Sequence, residues 1–142
     1  MTNRLAQLAL FVVLAVAMGC GSSLLGGRKA AKPRFFELRT YTTHEGKLDA
    51  LHARFRDHTN RLFQKQGMEL IGYWTPADEP RSADTLIYVL AYRDLAHREA
   101  AWKGFKNDPE WKKAFAESRK DGPIVKKVVS QFMTATDYSD IR

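Results

Sequence analysis

Residues 92–115 constrain the fold most, because they contain two helix starts and a stripe of aromatic side chains. Asp94 is a preferred N-cap, and a helix that begins there keeps its aromatic residues near one face. A second helix begins at Asp108 and Pro109, since Asp caps helices and Pro fits the first helical position. The segment therefore predicts two consecutive helices that end near residue 120.

The rest of the chain predicts four strands and one more helix. Apolar residues recur at three- and four-residue steps within residues 47–66, which is typical of an amphipathic helix. That stripe consists of Leu48, Leu51, Phe55, His58 and Leu62. Runs rich in β-formers predict strands at residues 35–42, 69–75, 85–92 and 124–134. The order is β-α-β-β-α-β, which defines an α+β protomer of the ferredoxin-like type.

The strand at residues 85–92 is apolar on both faces. One face carries Tyr88, Leu90 and Tyr92, and the other carries Ile87, Val89 and Ala91. The helices of one chain can cover only one face of the sheet. We therefore expect a homodimer, in which a second copy covers the face that carries Tyr88, Leu90 and Tyr92.

The amino terminus has the pattern of an export signal. Arg4 precedes an apolar run over residues 8–18, which is too short to span a bilayer, and the run ends at Gly19 and Cys20. This pattern resembles a bacterial lipoprotein signal, although an ordinary secretory signal with a chance cysteine is the alternative. We predict a signal peptide at residues 1–19, a lipidated Cys20 with a flexible basic tether to residue 34, and a folded domain at 35–142. The resemblance implies export and a lipid anchor in the cell envelope, on the periplasmic side of the outer membrane.

The net charge of +7 does not indicate a nucleic-acid-binding surface. Residues 1–34 hold five basic residues and no acidic ones, so residues 35–142 keep 18 basic residues against 16 acidic ones. A nearly balanced domain lacks the basic patch that contacts with phosphates require. We therefore expect no nucleic-acid partner.

The domain resembles the NIPSNAP family, within the dimeric α/β-barrel superfamily. The likeness is carried by FELRTYT at 36–42, Gly67 and Met68, GYW at 72–74, and the segment from Tyr92 to the DPEW that ends at Trp111. The resemblance implies a ferredoxin-like protomer whose sheet packs against the sheet of a second copy to close a barrel. It implies little about activity, because bacterial members mostly lack an assigned one.

One face of the first strand is the best candidate for a ligand site. Opposite charges on a central strand are costly unless they are paired or hydrated, and the same face also carries a tyrosine. The candidate ligand-binding residues are Glu37, Arg39, Tyr41, His58 and Tyr88. The alternatives are a structural Glu–Arg network at a dimer seam and, for His58, an ordinary core histidine.

No sequence motif identifies a reaction. The chain has no phosphate-binding loop, no GxSxG and no CxxC, and His52 near Asp49 lacks the spacing of a metal site. We therefore expect neither a metal nor a cofactor. Two hypotheses follow: a membrane-tethered dimer that binds a small molecule or a protein, which we favour, and a small-molecule enzyme such as a cofactor-free monooxygenase or isomerase.

Overall fold

The computed structural model describes residues 34–141, which form one sheet with helices against one face. Its strands are β1 (Phe35–Thr43), β2 (Glu69–Trp74), β3 (Thr85–Tyr92) and β4 (Val125–Thr134). Its α-helices are α1 (Leu48–Arg54), α2 (Asn60–Lys65), α3 (Leu95–Asn107) and α4 (Pro109–Glu117). A π-helical turn, Phe55–Thr59, joins α1 to α2, and a 3-10 turn, Arg81–Ala83, precedes β3.

The sheet is antiparallel and has the strand order β2-β3-β1-β4. β1 and β3 are therefore the central strands, and Arg39 on β1 lies opposite Tyr88 on β3 and Ser130 on β4. This order, with helices in both β-α-β crossovers, confirms the predicted ferredoxin-like α+β fold. The register also brings side chains from three strands together around Arg39.

The first helical segment differs from the uninterrupted helix that the sequence predicts. The N–H of Asn60 donates to the carbonyl of Phe55, so the chain makes a π-helical turn between α1 and α2. The wider turn buries Arg54 and Thr59, which lie five positions apart, and the Thr59 hydroxyl donates to the Arg54 carbonyl at 3.1 Å. His58, which the predicted stripe places in the core, is only half-buried.

The two helix caps near the middle of the chain form as predicted. Asp94 accepts a hydrogen bond from the N–H of His97 at 2.7 Å and begins α3. Asp108 accepts one from the N–H of Glu110 at 2.9 Å and begins α4, with Pro109 as its first residue. These caps position α3 and α4 over the sheet.

The prediction that a second copy covers the face of β3 with Tyr88, Leu90 and Tyr92 was wrong. Tyr88, Leu90 and Tyr92 are buried within the single chain, because they point toward the helices. The face opposite the helices carries the other parity of β3. Its exposed apolar side chains are Trp74, Val129 and Met133, with exposed fractions of 53%, 40% and 36%.

The predictions for the amino terminus lie outside the described residues. They concern the signal peptide at 1–19, the lipidated Cys20 and the tether that ends at residue 34. Within residues 34–141, no helix has the length and apolar character needed to cross a membrane.

Candidate functional site

A buried carboxylate joins the sheet to α3. Glu37 on β1 has no solvent exposure, and it accepts a hydrogen bond from Arg39 Nη1 at 2.5 Å. From α3, Arg98 donates to both carboxylate oxygens, at 3.0 Å and 2.8 Å, and Trp102 Nε1 donates at 3.1 Å. The Tyr92 hydroxyl on β3 donates at 3.1 Å. Every lone-pair direction of the carboxylate is therefore occupied by a protein donor.

The partners of Glu37 keep it ionised. Burial alone would raise the pKa of this carboxyl, but the hydrogen bonds from Arg98 and the charge of Arg39 lower the pKa to about 2. A carboxylate with such a low pKa and a full set of donors is a poor proton acceptor at neutral pH. Its role is to fix the two arginines and α3 in place.

Arg39 connects this cluster to the space beneath the helices. Its Nε donates to the Tyr88 hydroxyl at 2.9 Å, Nη1 to Ser130 Oγ at 2.8 Å, and Nη2 to the Tyr41 hydroxyl at 3.3 Å. Its guanidinium also lies 4.3 Å from the centre of the Trp102 ring. Alternation along β1 and the register with its two neighbours place these groups on one face.

A cavity of about 440 Å³ lies between the helices and the sheet beside Arg39. Its lining is mainly aromatic and aliphatic and includes four cationic side chains. The basic and polar members are Arg39, Tyr41, Arg54, Thr59, Lys106 and Arg119. The apolar members are Phe55, Phe63, Trp102, Phe105, Trp111, Phe115, Pro123, Ile124, Val125 and Val128.

Arg54 is a buried cation in this lining. It is only 5% exposed, and its one hydrogen bond runs from Nη1 to Ser118 Oγ at 3.3 Å. Its Nε is buried without a hydrogen-bond acceptor, and no carboxylate within residues 34–141 forms an ion pair with it. Its guanidinium packs against the rings of Trp111 and Phe115, at 5.6 Å and 5.4 Å. Burial, together with the positive charge of Arg119, lowers the pKa of Arg54.

The structure brings together four of the five predicted ligand-binding residues. Arg39 and Tyr41 line the cavity, while Glu37 and Tyr88 lie behind Arg39 and hold it by hydrogen bonds. Burial raises the pKa of Tyr88 well above its ordinary value, so its hydroxyl stays protonated. His58 is separate, because the π-helical turn leaves it outside the cavity lining. Whether any of the five binds a ligand stays a prediction.

Sequence reasoning missed Arg54, which is the least satisfied group in the site. The spacing in the sequence could have identified it, because Arg54 follows Leu51 by three positions and therefore lies on the core side of the helix. All four aromatic residues of the stripe on α3 and α4 line the cavity, but Trp102 and Phe105 are buried, whereas Trp111 and Phe115 are partly exposed.

The fold and the site define an α+β protein of ferredoxin-like topology with a cation-bearing aromatic cavity beneath its helices. The NIPSNAP family model matches residues 36–140, and the chain belongs to the NIPSNAP family. None of the curated proteins matches the sequence.

Solved structures similar to this chain belong to the same family. A NIPSNAP family protein of unknown function from Agrobacterium tumefaciens has a TM-score of 0.67 and 20% identity, over 78% of this chain and 96% of its own. An uncharacterized NIPSNAP-like domain protein from Burkholderia xenovorans has a TM-score of 0.66 and 16% identity, over 77% of this chain and 90% of its own. At these identities, the likeness shows the shared fold.

The buried Glu37 carboxylate predicts a pH-dependent loss of stability on substitution. Its folded pKa of about 2 lies below the ordinary 4.5, so its ionised form contributes stability above pH 4.5 that is lost as pH falls through about 2. Glu37→Gln should therefore lower the free energy of unfolding by about 3 kcal/mol near neutral pH. The deficit should shrink as the pH falls toward the folded pKa.

Urea unfolding of both proteins, from about pH 7 to about pH 3, measures this difference. The exposed Glu45→Gln provides the control and should leave stability nearly unchanged across the range. A deficit for Glu37→Gln that is small, or the same at every pH, would contradict the assigned electrostatic role.

Proposed function

We propose that this protein is a membrane-tethered, homodimeric binding protein that takes a small molecule into the cavity beneath its helices. The observation that carries the proposal is Arg54, a buried guanidinium that faces the cavity with no carboxylate partner within residues 34–141. A buried charge without a counter-charge is costly, and a bound ligand can supply the missing acceptor. The cavity volume of about 440 Å³ also lies in the range that holds drug-sized ligands.

Binding accounts for the site better than catalysis does. Within residues 34–141, the cavity lining contains no histidine, cysteine or carboxylate, so it offers few groups that could exchange a proton near neutral pH. Glu37, which lies behind the lining and bonds Arg39, is held ionised by its donors. Across the same residues, no group of His, Cys, Asp and Glu side chains has a metal-binding arrangement.

The amino-terminal pattern supports the tether. The apolar run at residues 8–18 is followed by Gly19 and Cys20, the single cysteine of the chain, as in the lipoprotein signals that it resembles. A lipid on Cys20 and a flexible segment to residue 34 would hold the domain at the envelope, on the periplasmic side of the outer membrane. The basic residues of that segment add a weak attraction to anionic lipid heads.

The sheet face opposite the helices supports a homodimer. Trp74, Val129 and Met133 expose apolar surface on that face, and β4 is an edge strand with most of its side chains exposed. A second copy is the partner we propose, because an identical apolar sheet face is self-complementary about a two-fold axis. The ligand cavity lies on the helix side, so dimerisation through this face would leave it accessible.

Retention of a bound small molecule tests the proposed binding site. The protein purified from its own membranes should carry a small molecule that native mass spectrometry detects. Arg54→Leu should abolish that molecule, because it removes the buried charge while keeping an apolar side chain. Lys112→Leu, an exposed change on α4 outside the lining, is the control and should retain it. Equal retention in the Arg54→Leu protein would place the ligand elsewhere.

Processing of the precursor tests the tether. Cys20→Ser should block both lipid attachment and cleavage after Gly19, so the variant should keep its signal peptide and incorporate no labelled fatty acid. If the variant is cleaved and labelled as the parent is, the anchor assignment is wrong.

Light scattering tests the dimer. The parent protein should be a dimer at micromolar concentrations, and Val129→Asp should yield monomers because it places a charge on the exposed apolar face. Lys103→Asp, an exposed change on α3, is the control and should remain dimeric. A monomeric parent protein would contradict the proposed assembly.

A further inference from the structure

We infer that the ligand is an amphipathic carboxylic acid, whose carboxylate binds Arg54 and whose aromatic or aliphatic body lies among the rings of α3 and α4. This inference rests on the proposed function, since it assigns a chemical class to the ligand of the same cavity. It follows from the free donors of Arg54, from the placement of the neighbouring charges and from the character of the walls.

The donors of Arg54 fit a carboxylate. A guanidinium has five N–H groups in a planar fork, and Arg54 uses one of them, toward Ser118 Oγ at 3.3 Å. The Ser118 hydroxyl itself donates to the Phe115 carbonyl at 3.1 Å, so it accepts from Arg54 without adding a counter-charge. Two carboxylate oxygens match the fork and form the charge-assisted pair that a buried arginine otherwise lacks.

The charges around the cavity favour a ligand with one negative group, placed at the buried Arg54. Arg39 also lines the cavity, but its Nη1 is paired with Glu37 at 2.5 Å, and its three other hydrogen bonds go to hydroxyl groups. Among residues 34–141, Arg54 is therefore the buried cation of the lining that has no carboxylate partner. Lys106 and Arg119 are exposed at the edge of the cavity, where they can attract an anion to the opening.

A bound anion would also relieve a repulsion within the site. Arg54 and Arg119 both line the cavity and carry like charges, so they repel each other. The negative charge of an acid bound against Arg54 would offset this repulsion. The site thus has a preference for anions over neutral molecules of the same shape.

The walls fit an apolar body. The rings of Phe105 and Trp111 lie 4.3 Å apart, and those of Trp111 and Phe115 lie 5.4 Å apart, so they form a continuous aromatic wall beside Arg54. Ile124 and Val128 line the opposite, strand side. Within residues 34–141, the lining has no carboxylate that would repel an acid and few polar groups to bind a hydrophilic one.

Matched acids and amides test the inference with known probes. Decanoate and naphthoate should each bind about tenfold or more tightly than decanamide and naphthamide, because only the acids form the charge-assisted pair. Calorimetry measures the affinities in the full-length protein. Quenching or shifting of tryptophan fluorescence reports on the cavity, since Trp102 and Trp111 line it.

Variants of Arg54 assign the preference to the cavity. Arg54→Leu should remove the difference between acids and amides, and thermal melting checks that the variant is folded. Arg54→Lys keeps a charge without the planar fork and should leave only part of the difference. If neither variant folds, the ratio of acid to amide affinity in the unaltered protein still decides the outcome.

The possible contrary results distinguish a failure of the carboxylate assignment from a failure of the proposed binding function. Equal affinities for acids and amides, with the fluorescence response intact, would overturn the carboxylate assignment and leave a small-molecule site. Tighter binding of decyl phosphate than of decanoate would overturn it in favour of a phosphate ligand. If no probe binds and native mass spectrometry finds no bound molecule, the ligand class and the proposed function both fail.

Discussion

The buried carboxylate of Glu37 is the interaction on which the arrangement of the site depends. It takes hydrogen bonds from β1, β3 and α3, and so ties the centre of the sheet to the helix that covers it. A carboxylate removed from water is stable only when its acceptors are satisfied, and here two arginines, a tyrosine and a tryptophan satisfy them. The same bonds hold Arg39 at the edge of the cavity, where its guanidinium packs on the Trp102 ring.

Arg39 and Arg54 both line the cavity, but they have different roles because their hydrogen-bond partners differ. Arg39 is paired with Glu37 and surrounded by hydroxyl groups, so its charge is largely used within the protein. Arg54 is surrounded by aromatic rings and makes one long hydrogen bond, to the Ser118 hydroxyl, so no negative group of the described residues neutralises its charge. The π-helical turn after α1 contributes to this arrangement, because it buries Arg54 and Thr59 together. Such turns are frequent at functional sites.

The fold was predictable because its signals are local. The strand patterns, the caps at Asp94 and Asp108 and the element order agree with the structure, and the charged face of β1 pointed to Glu37 and Arg39. Arg54 escaped prediction because a charged side chain is ordinarily assigned to the solvent side of a helix, although its three-residue spacing from Leu51 places it on the core side. The orientation of β3 was predicted wrongly because both faces of the strand are apolar. Its sequence therefore does not show which face packs against the helices.

Arg54 has no carboxylate partner within residues 34–141, and we propose that an acidic ligand binds it. A high-resolution crystal structure of the protein purified from the cells that make it tests this proposal most directly. We predict electron density in the cavity for a molecule with a planar acidic group that faces Arg54 Nε and the free N–H groups of its guanidinium. An empty cavity, or a carboxylate from elsewhere in the protein or its partner copy against Arg54, would contradict the claim.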